Sequence, residues 1–413
     1  MGGTQRVAKF VKYLPEFGWQ PVVVTVKNIS YYAEDLSLLQ DVRGAPVRRT
    51  GSLDPQRLLK LFSNVRPPRQ KVIRSKESSW THKVNRLLSW VLLPDTKLLW
   101  QPFAYKAAMD ILRAGKIDCL LTTSPPHSVH LAGSLLHKTY KIPWVADFRD
   151  GWASGNFQYE PTKLHRRLNE LLETRVLKQA DQVISVSEPL TEKLRQHNFE
   201  NSERFHTITN GFDWQDFPAQ KPQFGEDVFT ITYSGAMSNI APLQGFFTAL
   251  SELLKSQPDL RKKLGVRLVG LDMEGQVQRF VTDAGLKDLV TFCGYRPHGE
   301  AVDFLLKSHL LLYPVADWAS DDFVPGKTFE YMAAQKPVLA LGPNVEGVRL
   351  LKNVADVEHA GHKDISKIVD LLKARIEADW GMSQNSPDRK TLEIFERKML
   401  TRKLAGILDA AIS

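Results

Sequence analysis

The chain has 413 residues, with 55 Lys+Arg against 46 Asp+Glu and a formal net charge of +9. That length predicts two large domains. A composition of 43% hydrophobic and 24% charged residues is ordinary for a globular protein and excludes disordered, collagen-like and coiled-coil classes. The two cysteines, Cys119 and Cys293, are too far apart for a C-x-x-C pair or a structural zinc motif, so a disulfide scaffold is excluded and a reducing cytosol is expected. No apolar run reaches the ~18–20 residues that span a bilayer, and Met1–Arg6 has no apolar signal core. The expected location is therefore cytoplasmic.

The positive charge is concentrated in the first half. Residues 1–219 hold 31 basic and 21 acidic residues, and the stretch Arg43–Lys116 alone holds 16 basic against four acidic. A patch of that sign attracts polyanions: nucleic acid, anionic lipid headgroups or phosphorylated substrates. Ordinary solvated surface charge is the alternative.

In chain order, short Val/Ile/Leu/Thr runs alternate with helical patterns, the signature of parallel sheets with helical crossovers. Strands are predicted at Val22–Val26, Cys119–Thr123, Trp144–Asp147, Gln182–Val186 and His206–Thr209. Helices are predicted at Arg6–Leu14, Val129–Lys138, His165–Lys178 and Pro189–Gln196. A second series of strands opens at Phe229–Ser234 and continues at Val266–Val269, Val290–Cys293, Leu310–Tyr313 and Val338–Leu341. Between the series, Asn210 to Gly225 is turn-forming and marks the junction. The domains are thus 1–212 and 213–389, with a closing helix over 390–413 that reaches back across the junction. A doubly wound domain normally opens with its central strand. Here a Gly2-Gly3 loop and a helix come first, so a strand ahead of Gly2 in the true product is expected.

The segment Trp80–Pro94 reads as an amphipathic helix, with Trp80, Val84, Leu87, Leu88, Val91 and Leu92 on one face. With the cations of 57–93 it suits peripheral contact with an anionic membrane; packing into the first domain's core is the other reading. No nucleic-acid motif accompanies the basic stretch, and nucleic acid is not an expected partner.

Phosphate-loop, H-E-x-x-H, G-x-S-x-G and complete G-x-G-x-x-G motifs are all absent. His127 and His130 are three apart, but nothing nearby completes a metal site, and no metal is expected. The most informative segment runs from Asp321 to Leu341: a loop, a helix starting near Gly326, then Lys336-Pro337 and a strand. A helix N-terminus at the carboxyl end of a parallel strand suits phosphate. Gly326 permits close backbone approach, Lys327 adds a cation, and Glu330 can accept hydrogen bonds from sugar hydroxyls. In the alternative, Glu330 only complements the helix dipole and Lys327 is solvated. His127 and Asp147-Phe148-Arg149-Asp150 follow strands. They either serve a site, or Asp147 or Asp150 caps the next helix while Arg149 pairs with one of them.

The segment resembles the E-x7-E region of the retaining family 4 glycosyltransferases, here as D-x7-E from Asp322 to Glu330. Gly2–Leu14, Thr122–His127, Ala146–Asp150, Val186-Ser187-Glu188, Thr209–Asp213 and Tyr233-Ser234-Gly235 are similar to that family's other segments in order and spacing. The resemblance implies the GT-B fold: α/β, two facing Rossmann-like doubly wound domains with an interdomain cleft. It implies a nucleotide-sugar donor on the second domain and a glycan or lipid-linked acceptor on the first, at the inner face of a membrane. It further implies transfer with retention in bacterial surface polysaccharide or glycolipid synthesis, with no cofactor and no metal. By resemblance, Gly235, Arg296, Gly326, Lys327 and Glu330 would bind the donor, and Gly2, Gly3 and Arg149 would border the diphosphate and acceptor. His127, Asp150 and Asp322 would be catalytic. Where many members carry an Arg and a Lys after the first donor-domain strand, Gly235–Gly245 has no basic residue. A sugar-nucleotide epimerase and a degenerate, non-catalytic membrane scaffold are the alternatives.

Overall fold

The structure, a computed structural model, describes residues 2–27, 38–53, 88–153, 160–196, 202–217, 228–237, 240–272, 274–378 and 389–413. Two compact units divide it: residues 3–209 with 398–413, and residues 210–397.

The first unit opens with α1 (Gly2–Tyr13). The two glycines expected to form a loop are instead the first turn of this helix. Glycine costs a helix roughly 1 kcal/mol per residue. The helix leads into a buried apolar cluster, where Phe10 and Leu14 pack with Val145, Ile184, Leu404 and Leu408, and that packing outweighs the local propensity. There follow β1 (Val23–Val26), α2 (Leu38–Asp41), β2 (Val47–Thr50), α3 (Gln101–Ala114), β3 (Leu120–Ser124), α4 (Ser128–Tyr140), β4 (Trp144–Phe148), α5 (Lys163–Gln179), β5 (Gln182–Ser185), α6 (Glu188–Gln196) and β6 (Phe205–Thr207). All pairings are parallel, and they form two sheets, β1-β2 and β3-β4-β5-β6. Every residue of β4 is buried, whereas all four residues of β1 are only half-buried. Of the amphipathic segment Trp80–Pro94, residues 80–87 lie outside the described residues. Trp90 and Val91 are exposed.

The second unit runs through β7 (Phe229–Ser234), α7 (Ile240–Ser256), β8 (Leu264–Val269), α8 (Gln276–Asp283), β9 (Val290–Gly294), α9 (His298–Leu306), β10 (Leu310–Pro314), α10 (Lys327–Ala334), β11 (Val338–Leu341), α11 (Glu346–Val354), β12 (Val357–Ala360) and α12 (Ile365–Glu377). Its six parallel strands lie in the order β12-β11-β10-β7-β8-β9. This is the doubly wound order, in which the chain reverses direction across the sheet between β7 and β10, and ligands bind beyond the carboxyl ends of the strands at that switch point. Two apolar clusters cover the sheet. One holds Phe246, Phe247 and Leu250 from α7; the other holds Phe329, Met332 and Leu351 from α10 and α11.

The closing helix is broken. A short turn, Arg389–Leu392, and a 3-10 turn, Glu393–Phe395, precede a separate helix, Arg397–Ile412. At the break Phe212 donates its N–H to the Phe395 carbonyl at 3.2 Å, and Arg397 donates to the Phe212 carbonyl at 2.7 Å. These two bonds hold Glu396 in extended backbone, which interrupts the helical pattern.

Candidate functional site

The switch point of the second unit brings together the residues singled out around Lys327. Tyr331, on α10, places its hydroxyl between the two strands that part there. It accepts from the Ser234 N–H at 3.1 Å and donates to the Leu312 carbonyl at 3.1 Å. Thr328 meets the Tyr313 hydroxyl at 2.6 Å. These buried bonds fix the rotation of α10 and send the neighbouring residues outward. Gly326 is the N-cap of α10.

The half-buried Lys327 lays its ammonium 4.4 Å from the ring centre of Tyr233 and 5.5 Å from that of Tyr313. Burial pushes its pKa down to about 7, with Glu330 pulling the other way. Gly235 follows β7 with φ +144°, and a Cβ there would stand 3.8 Å from the Lys327 amine. Gly270, φ +141°, comes so close to the Gly235 carbonyl that any Cβ would collide with it. The stretch Gly235–Gly245 lacks a cation of its own, and Lys327 brings one to its first residue.

Glu330 lies one turn further along α10, with its Oε1 3.5 Å from His298 Nδ1. His298 Nε2 is 3.3 Å from Asp216 Oδ2. Burial raises the Glu330 pKa first of all, while His298 and Arg397 draw it down. The two carboxylates meet opposite nitrogens of one ring, so the trio does not converge on a point. No group of His, Cys, Asp and Glu among the described residues is arranged to hold a metal ion.

Asp322 is half-buried in the loop before α10. That loop is pinned from α11: Arg349 bonds the Asp321 carboxylate at 2.8 and 3.0 Å, and Gly347 donates to the Phe323 carbonyl at 3.0 Å. Arg296 turns back on its own loop, with Nε donating to the Cys293 carbonyl at 3.0 Å and Nη1 3.5 Å from Glu300.

In the first unit, His127 ends the β3–α4 connection. Its ring stacks on Trp152 at 5.2 Å and 12°, and Nδ1 is 3.2 Å from Ser124 Oγ. Burial, then the Arg149 charge, lowers its pKa to about 3, so the imidazole is neutral at physiological pH. Arg149 donates from Nε to the Ser124 carbonyl at 3.0 Å and from Nη2 to the Pro125 carbonyl. The N-terminus of α4 is occupied by Asp95, which accepts from the Ser128 N–H at 2.9 Å and the Ser128 hydroxyl at 2.8 Å.

Neither Asp147 nor Asp150 caps the next helix, and Arg149 feels the charge of both. Thr162 caps α5, and Asp147 belongs to Arg6. That fully buried guanidinium donates to Asp147 at 2.8 and 3.2 Å and to the Ile208 and Thr209 carbonyls, each at 2.8 Å. Asp150 follows Arg149, half-buried. Sequence reasoning missed Arg6, His298 and Asp216. For His298 a signal was present, because it opens the helix right after Gly294-Tyr295-Arg296.

Two family models match the chain in order: the glycosyl transferase 4-like domain over residues 1–211 and glycosyl transferases group 1 over residues 228–364. The chain belongs to the glycosyltransferases. Its fold is that of solved GT-B members, built from two Rossmann-like parallel sheets flanked by helices. A glycosyltransferase from Rickettsia africae is similar at TM-score 0.65 and 14% identity, over 100% of this chain and 96% of its own. HepE of Anabaena, solved with UDP-glucose, is similar at TM-score 0.62 and 15% identity, over 99% and 96%. Sucrose-phosphate synthase of Thermosynechococcus elongatus gives TM-score 0.58 and 16% identity, over 98% and 92%. No curated protein matches this glycosyltransferase by sequence. Among the described residues no helix is long and apolar enough to cross a membrane.

Proposed function

We propose that this glycosyltransferase moves a sugar from a nucleotide-sugar donor, held at the switch point of the second unit, to a glycan or lipid-linked acceptor. The observation that carries the reading is the cation at the reversal of the sheet. Lys327 lies beside Gly235, where the positive end of α10 and a close-packed glycine backbone suit a diphosphate. Glu330, one turn on, is the acceptor for ribose hydroxyls, and Asp322 is assigned to the donor sugar. Fixed N–H dipoles and Lys327 stabilise charge on the departing diphosphate, so no metal is assigned to that task. The crystal structure of HepE in complex with UDP-glucose supports a donor of this class.

Retention of anomeric configuration, a place in bacterial surface polysaccharide or glycolipid synthesis, and a location at the inner membrane face belong to the same proposal. On the acceptor side, His127, as a neutral imidazole, is assigned to the reacting hydroxyls, with Arg149 and Asp150 bordering them. A cavity of about 400 Å³ walled by Lys27, Arg48, Arg49 and Lys106, with Asp110 as its one acid, supports an anionic acceptor or membrane surface. Among the described residues none of these four cations forms an ion pair. The exposed Trp90 and Val91 suit the same surface.

A non-catalytic scaffold is the second reading, favoured by the missing Arg/Lys pair in Gly235–Gly245. Calorimetric titration with a panel of UDP-, GDP- and ADP-sugars separates the two: the transferase binds at least one, and binding of none overturns the proposal. NMR of the glycoside formed then reads the anomeric outcome, and an inverted product overturns retention.

A further inference from the structure

Beyond the residues assigned so far, the cluster behind Glu330 has a role of its own. His298 stands between two carboxylates, with Nδ1 toward Glu330 at 3.5 Å and Nε2 toward Asp216 at 3.3 Å, and all three side chains are half-buried. A neutral imidazole carries one N–H, so one of its two nitrogens would then point a lone pair at a carboxylate. Both contacts are attractive only when the ring is an imidazolium or the facing carboxyl holds the proton. Of the charges around Glu330, that of His298 draws its pKa down most. Asp216, in the turn Trp214–Asp216, fixes the ring from behind, as carboxylates commonly orient functional histidines.

The neighbourhood of Glu330 explains why such a device is needed. Desolvation works against its ionised form, and a protonated carboxyl is a poor acceptor for two hydroxyl donors. The groups facing Glu330 are His298, Arg397, Asp216 and Lys327, and of these His298 makes the direct ion-pair contact. We infer that His298, held by Asp216, is the positioning residue that keeps the Glu330 carboxylate ionised and aimed at the ribose hydroxyls of the donor nucleotide. This rests on the donor-site reading above and adds two residues to it.

The test compares ribonucleotides with analogues that lack the ribose hydroxyls. Calorimetric affinities of UDP, GDP and ADP, and of their 2′,3′-dideoxy counterparts, are measured on the unmodified protein, His298→Ala, His298→Asn and Asp216→Asn. For the ribonucleotide that binds, His298→Ala is expected to weaken affinity roughly tenfold, the scale of losing one hydrogen bond to a charged group. The dideoxy analogue should change by under about twofold, because it does not use Glu330. His298→Asn, whose amide N–H stands near the Nδ1 position, recovers part of the loss. Asp216→Asn gives a smaller, equally ribose-specific loss and carries the test should His298→Ala fail to fold. Equal losses for ribo and dideoxy ligands, or no loss for either, overturn the inference while leaving the donor site in place. Failure of all three nucleotides to bind the unmodified protein overturns the donor site and the inference together.

Discussion

The proton on Lys327 gives the sharpest prediction. Its pKa is lowered to about 7 by burial, against an ordinary value of 10.5. At pH 7 about half of the unliganded molecules therefore carry a neutral amine there, and at pH 8 about nine in ten. A diphosphate beside the amine favours the ammonium, so binding draws a proton from solvent. The expected uptake is about 0.1 proton at pH 6, about 0.5 at pH 7 and about 0.9 at pH 8. Below pH 7 the ammonium is already present and affinity is flat. Above it, apparent affinity falls toward about tenfold per pH unit. Without ligand the unfolded chain binds more protons than the folded one between about pH 7 and 10.5, so this group makes folding more favourable as pH rises through that window.

The assay is titration calorimetry of the best-binding nucleotide sugar in buffers of different ionisation enthalpy, from pH 6 to 8.5. Lys327→Met should abolish the Lys327 share of proton uptake, flatten the pH profile and weaken binding at pH 6 by about 1.5–3 kcal/mol, the cost of losing a charged hydrogen bond. Affinity that is independent of pH, with no buffer dependence in the unmodified protein, refutes the reasoning. So does undiminished uptake in Lys327→Met.

Glu330→Ala should weaken donor binding by ~1–3 kcal/mol, and unchanged affinity in calorimetry removes the ribose assignment. Arg6→Met leaves Asp147 buried without its cation and two carbonyls without a donor; a loss of about 3–5 kcal/mol is expected in denaturant unfolding followed by near-ultraviolet dichroism. Arg6→Met with Asp147→Asn should recover part of it, and a single-variant loss below about 1 kcal/mol would contradict the ion-pair account. Gly245→Ala should cost more than ~2 kcal/mol, because its Cβ would collide with the His362 carbonyl; a native melting temperature would show that this contact yields at no cost.

Where a strand is buried on both faces, its bounds were legible from composition. Phe229–Ser234 and Val338–Leu341 are read to the residue, and every side chain in them is buried. The strands missed, Val47–Thr50 and Val357–Ala360, lie at sheet edges and carry charged or polar side chains that no core demands. The helix that opens at Gly2-Gly3 and the break at Glu396 went against local pattern, since the helix is anchored through Phe10 and the break through Phe212, each by residues far along the chain.

The site divides in the same way. Gly326, Lys327 and Glu330 fall within five residues at the start of one helix, and a helix start after a parallel strand has a predictable chemistry, so sequence alone brought that trio together and set the two-domain parallel α/β architecture. Only the tertiary structure decided that Lys327 reaches Gly235, that His298 and Asp216 stand behind Glu330, and that Arg6 claims Asp147. Each of those pairings joins residues separated by tens to hundreds of positions. Charge and hydrogen bonding act across a few ångströms of space, whatever the distance along the chain.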